Sequence, residues 1–140
     1  MDNNYYRIMA IDYGDVRIGI ALSDLTRTIA NGYENYTRRN EHDDIQHLLD
    51  IAQNNNVQLV VFGLPFNMDG TDSNQTIKTR EFAQLLENET KLKVVFQDER
   101  LTSKIAERVL IDSDMSRNKR KNVLDKLSAT IILQDYLNQI

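Results

Sequence analysis

Cysteine is absent from the 140-residue chain. That excludes a disulfide framework, a thiol nucleophile and any cysteine-ligated zinc or iron–sulfur centre. Histidine is nearly absent too. His42 and His47 are the only two, and their spacing of five sets them on different helix faces, which excludes a histidine-rich metal site. No run approaches the roughly 20 apolar residues that span a bilayer, and the longest, such as Leu59 to Phe62, have the length of buried strands. The opening Met1-Asp2-Asn3-Asn4 lacks the basic-then-apolar layout of a signal peptide, so a cytoplasmic protein without membrane association is expected. What remains plentiful is acid. Twenty-one aspartates and glutamates stand ready for a hard cation, and any metal here must be held by carboxylates.

The net charge of −4 is unevenly spread. Residues 1–90 carry 7 basic and 14 acidic side chains, whereas residues 91–126 carry 10 basic and 6 acidic ones. A dipolar molecule of this kind can grip a polyanion locally, although a solvated charged face would produce the same asymmetry. Length and composition suit one domain over residues 1–140, with a hydrophobic fraction of 41%.

Three strands are expected first: Tyr6 to Ile11, ending at the acidic turn Asp12-Tyr13-Gly14; Arg17 to Ser23, with Ile18, Ile20 and Leu22 on one face; and a less regular segment from Thr28 to Thr37. A helix follows. Asn40 caps it, Glu41, Asp43 and Asp44 suit its first turn, and Ile45, Leu48, Leu49 and Ala52 form its apolar stripe up to Asn54-Asn55-Asn56. Val57 to Gly63 reads as a strand covered on both faces. A loop with Pro65, a helix over about Gln75 to Glu89, and a strand from Leu92 to Gln97 come next. Thr102 or Ser103 is expected to cap a short helix, and a polar stretch, Asp112 to Asn118, leads to a last helix from about Lys119 to Asn138. A three-strand antiparallel meander followed by βα units gives an α/β fold, a mixed five-stranded sheet flanked by helices, compatible with the ribonuclease H-like architecture.

Acidic residues stand out at three places in this layout. Asp12 closes the first strand, Asp98 and Glu99 close the fifth, and Asp125 shares a helix face with Ser128, Ala129 and Ile132. Each has an ordinary explanation: a turn, a helix cap, or pairing with Lys121 or Lys126. Together they offer carboxylates that a fold can bring to one point at the sheet's edge. Converging carboxylates repel and call for a divalent cation, and two Mg²⁺ or Mn²⁺ ions about 4 Å apart would support phosphodiester hydrolysis. Arg117, Lys119, Arg120 and Lys121 lie just before Asp125. Their charge opposes a helix N-terminal dipole, so phosphate binding explains them better than helix stability does. Arg17, Arg100, Lys104 and Arg108 would extend that surface. The loop from Gly63 to Gly70 is either a simple connection or a substrate-facing element contributing Asn67 or Asp69.

These residues resemble a known family. Asp12-Tyr13-Gly14-Asp15-Val16-Arg17-Ile18-Gly19 with Ser23-Asp24 is similar to the opening motif of the YqgF family, also called RuvX. Gly63-Leu64-Pro65 with Asn67-Met68-Asp69-Gly70 and Arg80-Glu81-Phe82 is similar to its central motif. Asp98-Glu99-Arg100-Leu101-Thr102, Lys119-Arg120-Lys121 and Asp125-Lys126-Leu127-Ser128-Ala129 complete it, in order, over nearly the whole chain. The resemblance implies a ribonuclease H-like fold close to Holliday-junction resolvases, and a nuclease that processes the 5′ end of precursor 16S ribosomal RNA. It implies Asp12, Glu99 and Asp125 as catalytic metal ligands for Mg²⁺ or Mn²⁺, with Asp98 and Asp69 as alternatives to Glu99.

The partners so implied are structured nucleic acid, either precursor ribosomal RNA or branched DNA, and ribosomal particles. Resolution of four-way DNA junctions needs paired cuts and hence a homodimer, whereas RNA processing is open to a monomer. A non-catalytic RNA-binding assembly factor is the third reading. An actin-like or sugar-kinase ATPase is disfavoured, because it needs two such domains around its nucleotide. If the basic segment binds phosphates, neutralising Lys119, Arg120 and Lys121 weakens nucleic-acid binding. The slope of log K against log salt then falls by about one unit for each phosphate no longer neutralised, as a filter-binding titration at several salt concentrations would read.

Overall fold

The computed structural model describes residues 4–99 and 117–140, with side chains on the last helix from Lys126 onward. Its elements run β1 (Arg7–Tyr13), β2 (Arg17–Ser23), β3 (Ala30–Thr37), α1 (Glu41–Asn54), β4 (Val57–Leu64), α2 (Asn74–Thr90), β5 (Lys93–Asp98) and α3 (Arg117–Gln139). The strands form a five-stranded sheet in the order β3-β2-β1-β4-β5. β1 pairs antiparallel with β2, and β2 with β3, while β4 lies parallel to β1 and β5 parallel to β4. The expected α/β fold with a mixed sheet is therefore the one observed. No described helix is long and apolar enough to cross a membrane.

Strand alternation splits the core into two layers. Met9, Ile11, Tyr13, Ile18, Ile20, Val60 and Phe62 point to the face covered by α1 and α2, where Leu48, Phe82 and Leu86 fill the interface. Ile8, Ala10, Ala21 and Val61 point to the opposite face, against Ala129, Ile132, Leu133 and Leu137 of α3. α3 also lies close over β3. A Cβ built on Gly32 would come within 3.0 Å of Lys126 Cγ, and Gln134 receives the Ala30 N–H at 3.0 Å.

Several boundaries move from their expected places for identifiable reasons. β1 runs on to Tyr13, because antiparallel pairing continues through Asp12 opposite Gly19 and Tyr13 opposite Ile18. Asp12 is thus inside the strand, and the turn begins at Gly14, whose N–H donates to the Arg17 carbonyl at 3.0 Å. β3 starts at Ala30 instead of Thr28, because the Asp24 carboxylate organises the preceding turn by accepting the N–H groups of Thr28 and Ile29 at 2.7 and 2.9 Å. β5 extends to Asp98, paired with Leu64. α3 includes Arg117 and Asn118, expected to lie ahead of it. The short helix expected after Thr102 lies outside the described residues.

α1 begins as expected, with Asn40 accepting the Asp43 N–H at 2.8 Å, a cap worth about 1 kcal/mol. Asp44 does more than complement the helix dipole. It is fully buried and accepts from Arg38 Nε at 3.0 Å, from the Tyr36 hydroxyl at 2.9 Å and from the Arg39 N–H at 2.9 Å. Arg38 in turn reaches the Gly14 carbonyl at 3.3 Å and lies over the Tyr13 ring. Removing the acid leaves a largely buried guanidinium without its charge partner. Asp44→Ala should therefore cost about 3 kcal/mol, lowering the urea midpoint without changing the slope of the unfolding curve. An unmoved midpoint would deny the network its role.

Candidate active site

The same alternation that builds the core decides which acids can meet. Ile8 and Ala10 lie under α3, so Asp12 falls on that face at the carboxyl end of β1. Val61 lies there on β4, and Gly63 follows two residues later. Val95 lies there on β5, and Gln97 and Glu99 continue its parity. The Glu99 N–H donates to the Leu64 carbonyl at 3.1 Å, which holds the chain beside β4 just past the end of β5.

Gly63 provides the space. A Cβ built on it would stand 2.5 Å from the Glu99 carboxyl carbon, 2.6 Å from its Oε1 and 2.6 Å from Ile132 Cδ1, closer than real Cβ contacts come. The Glu99 carboxyl thus occupies the volume between β4 and α3 that any side chain at position 63 would fill. Burial there, then the negative charge of Asp12, then that of Asp98, push the Glu99 carboxyl from its ordinary 4.5 up to about 9. Asp12 is half-buried, Glu99 is buried, and Asp98 is exposed.

Of the candidates for the second acid, Glu99 lies within reach of the Asp12 charge, and Asp98 precedes it in the chain. Asp69 lies in the exposed loop after β4, where it accepts the Thr71 N–H at 3.0 Å and the Thr71 hydroxyl at 2.6 Å; these contacts shape the loop's own turn. Asn67 contributes to the same turn through Thr71 Oγ1. Arg17 opens β2 two residues from Gly19, the partner of Asp12, and therefore on the same sheet face. The side chains of Asp125, Arg117, Lys119, Arg120 and Lys121 lie outside the described residues, as do Arg100, Lys104 and Arg108 altogether. The helix backbone at Asp125 is described, one turn ahead of Ser128 and Ala129 and two ahead of Ile132, all buried on the face toward the sheet. Among the described residues no three histidine or acidic side chains form a metal-holding group. Asp12 and Glu99 supply two hard oxygen donors, and a divalent cation would take the place of the Glu99 proton and offset the repulsion that arises once both are ionised, so the residues present suit such an ion.

A family model described as "RuvX: Holliday junction resolvase" matches residues 6–139. The chain belongs to the RuvX family. Among curated relatives, a protein of Syntrophomonas wolfei named "Putative pre-16S rRNA nuclease" is 45% identical over 132 residues, covering 94% of this chain and 94% of its own length. One of the same name from Caldanaerobacter subterraneus subsp. tengcongensis is 46% identical over 133 residues, covering 94% and 96%. Among solved structures, RuvC of T. thermophilus in complex with a Holliday junction substrate aligns over 96% of this chain and 95% of its own, at 12% identity and a TM-score of 0.58. The Fowlpox virus resolvase with junction DNA aligns over 95% and 97%, at 14% identity and a TM-score of 0.59. At such low identities the likeness concerns the fold, which RuvX shares with these resolvases.

In the sequence Gly63 looks like one of two glycines in a connecting loop. Its signal was available: a glycine inside an apolar strand marks a close approach.

A raised carboxyl pKa has a definite consequence for stability. The folded protein holds a proton on Glu99 that the unfolded chain has released above its ordinary value, so the stabilisation is complete below about pH 4.5 and is lost as pH rises through about 9. In chelator, thermal melts from pH 5 to 9 should fall as pH rises. Glu99→Gln should flatten that trend, and added Mn²⁺ should oppose it. A wild-type profile indistinguishable from that of Glu99→Gln would remove Glu99 from the buried corner.

Proposed function

We propose that this RuvX-family chain is a metal-dependent nuclease that hydrolyses phosphodiester bonds in structured RNA, at the 5′ end of precursor 16S ribosomal RNA. The observation that carries this reading is the burial of the Glu99 carboxyl in the space left by Gly63, within reach of the Asp12 charge, at the carboxyl end of the sheet. Such an arrangement is costly without a cation and useful with one. Asp12, Glu99 and Asp125 would hold Mg²⁺ or Mn²⁺. When bound, the metal supplies an activated water and charge stabilisation at the leaving oxygen. The carboxylates fix the site, while Arg17, Arg100, Arg117, Lys119, Arg120 and Lys121 hold phosphates on either side of the scissile bond and orient the strand. The names of the curated relatives support the RNA substrate. Action in the cytoplasm on ribosomal particles follows from it.

A second reading, resolution of four-way DNA junctions, is favoured by the family description and by the fold shared with junction-bound resolvases. It uses the same carboxylates but requires a homodimer with two spaced sites.

The test compares wild type with Asp12→Asn, purified identically, on a 16S precursor and on a four-way junction with Mg²⁺, Mn²⁺ or chelator. Asp12→Asn removes a ligand charge and little volume. It should abolish cleavage while preserving the fold and nucleic-acid affinity. Cleavage of the precursor by wild type alone bears out the reading. Paired junction cuts transfer the assignment to the resolvase. Binding without cleavage under every condition leaves an RNA-binding assembly factor.

A further inference from the structure

The parallel ladder between β1 and β4 has a donor missing at a decisive point. Ile11 lies opposite Phe62, and continuing that register sets Tyr13 opposite Leu64, so the N–H of residue 65 would donate to the Tyr13 carbonyl. Residue 65 is the chain's one proline, which has no N–H. β2 cannot serve in its place. Gly14 donates to Arg17 across the β1–β2 edge, and in an antiparallel pair the alternate residues Asp12 and Gly14 face β2, so the main-chain groups of Tyr13 face β4.

The missing donor comes from α2. Gln75 Nε2 donates to the Tyr13 carbonyl at 2.7 Å, across 62 positions of sequence. Its helix is placed by Ser73, whose Oγ accepts the Thr76 N–H at 3.1 Å and whose hydroxyl donates to the Pro65 carbonyl at 2.9 Å. The proline that removes the ladder's donor therefore also anchors the helix that replaces it.

We propose that Gln75 is a positioning residue for Asp12: its side-chain amide completes the β1–β4 ladder in place of the N–H that Pro65 lacks, and so fixes the strand end that presents the carboxylate toward Glu99. The role in metal binding rests on the function proposed above; the role in the ladder does not. Gln75→Met keeps length and bulk but removes the donor without adding charge. Pro65→Ala restores a main-chain N–H where the ladder needs one.

The experiment measures Mn²⁺ affinity by calorimetry on metal-free protein, and the Gly14 amide resonance by ¹⁵N–¹H NMR. The set is wild type, Asp12→Asn, Gln75→Met and Pro65→Ala/Gln75→Met. Gln75→Met should bind Mn²⁺ about tenfold more weakly and shift the Gly14 amide, which shares its peptide group with the Tyr13 carbonyl. The double variant should bring both back toward wild type, a rescue that a general packing role for Gln75 would not give. Should Gln75→Met fail to fold, Gln75→Asn, one methylene short of the carbonyl, carries the same expectation. An unmoved Gly14 resonance in the single variant, or a shift that Pro65→Ala leaves in place, overturns the proposal. Absence of Mn²⁺ binding in wild type would instead overturn the metal site, with the Gly14 resonance still deciding the ladder.

Discussion

A carboxyl buried in one corner beside a second acid resists ionising, and the arrangement at the carboxyl end of this sheet depends on holding the two together against that cost. Asp12 and Glu99 reach the corner from strands separated by β4, on the face that α3 covers. Neither could stay there on local preference alone, since a free strand end would turn its carboxylate to water. What holds them is the rigidity of a sheet packed on both faces. Phe62 and Phe82 on one side, and Val61, Ile132 and Leu133 on the other, leave the ends of β1, β4 and β5 little freedom to splay.

The segment just past Asp12 is correspondingly restrained. Its two successive carbonyls, Tyr13 and Gly14, are held by Gln75 from α2 and by Arg38 from the end of β3. Arg38 is locked by Asp44, so an acid buried in α1 helps to hold the turn that follows β1. Turns at functional sites owe their geometry to such supports as much as to their own sequence.

Much of this architecture is legible in the chain. β2 shows because Ile18, Ile20 and Leu22 alternate, and α1 shows because Asn40 precedes an acidic first turn and an apolar stripe. The helix face shared by Asp125, Ser128, Ala129 and Ile132 is also readable from spacing, and the last three are buried as that spacing implies. The choice among Asp69, Asp98 and Glu99 is not readable. It depends on the register of β5 against β4 and on the parity of residues past the strand end, both of them long-range pairings. Asp44 looks like any first-turn acid, because its three partners come from a preceding segment that the helix pattern does not report. Gln75 looks like a helix-surface residue for the same reason.

Gly63 gives the site an unusual form of inheritance. The room for one residue's functional group is encoded as the absence of another's, 36 positions away in the chain. Within the family, glycine at this place and an acid just past the fifth strand are therefore expected to be kept or lost as a pair. A member with a larger residue here would have to house its second carboxylate elsewhere or work without it, and a single letter in the fourth strand would report which chains still carry the buried acid.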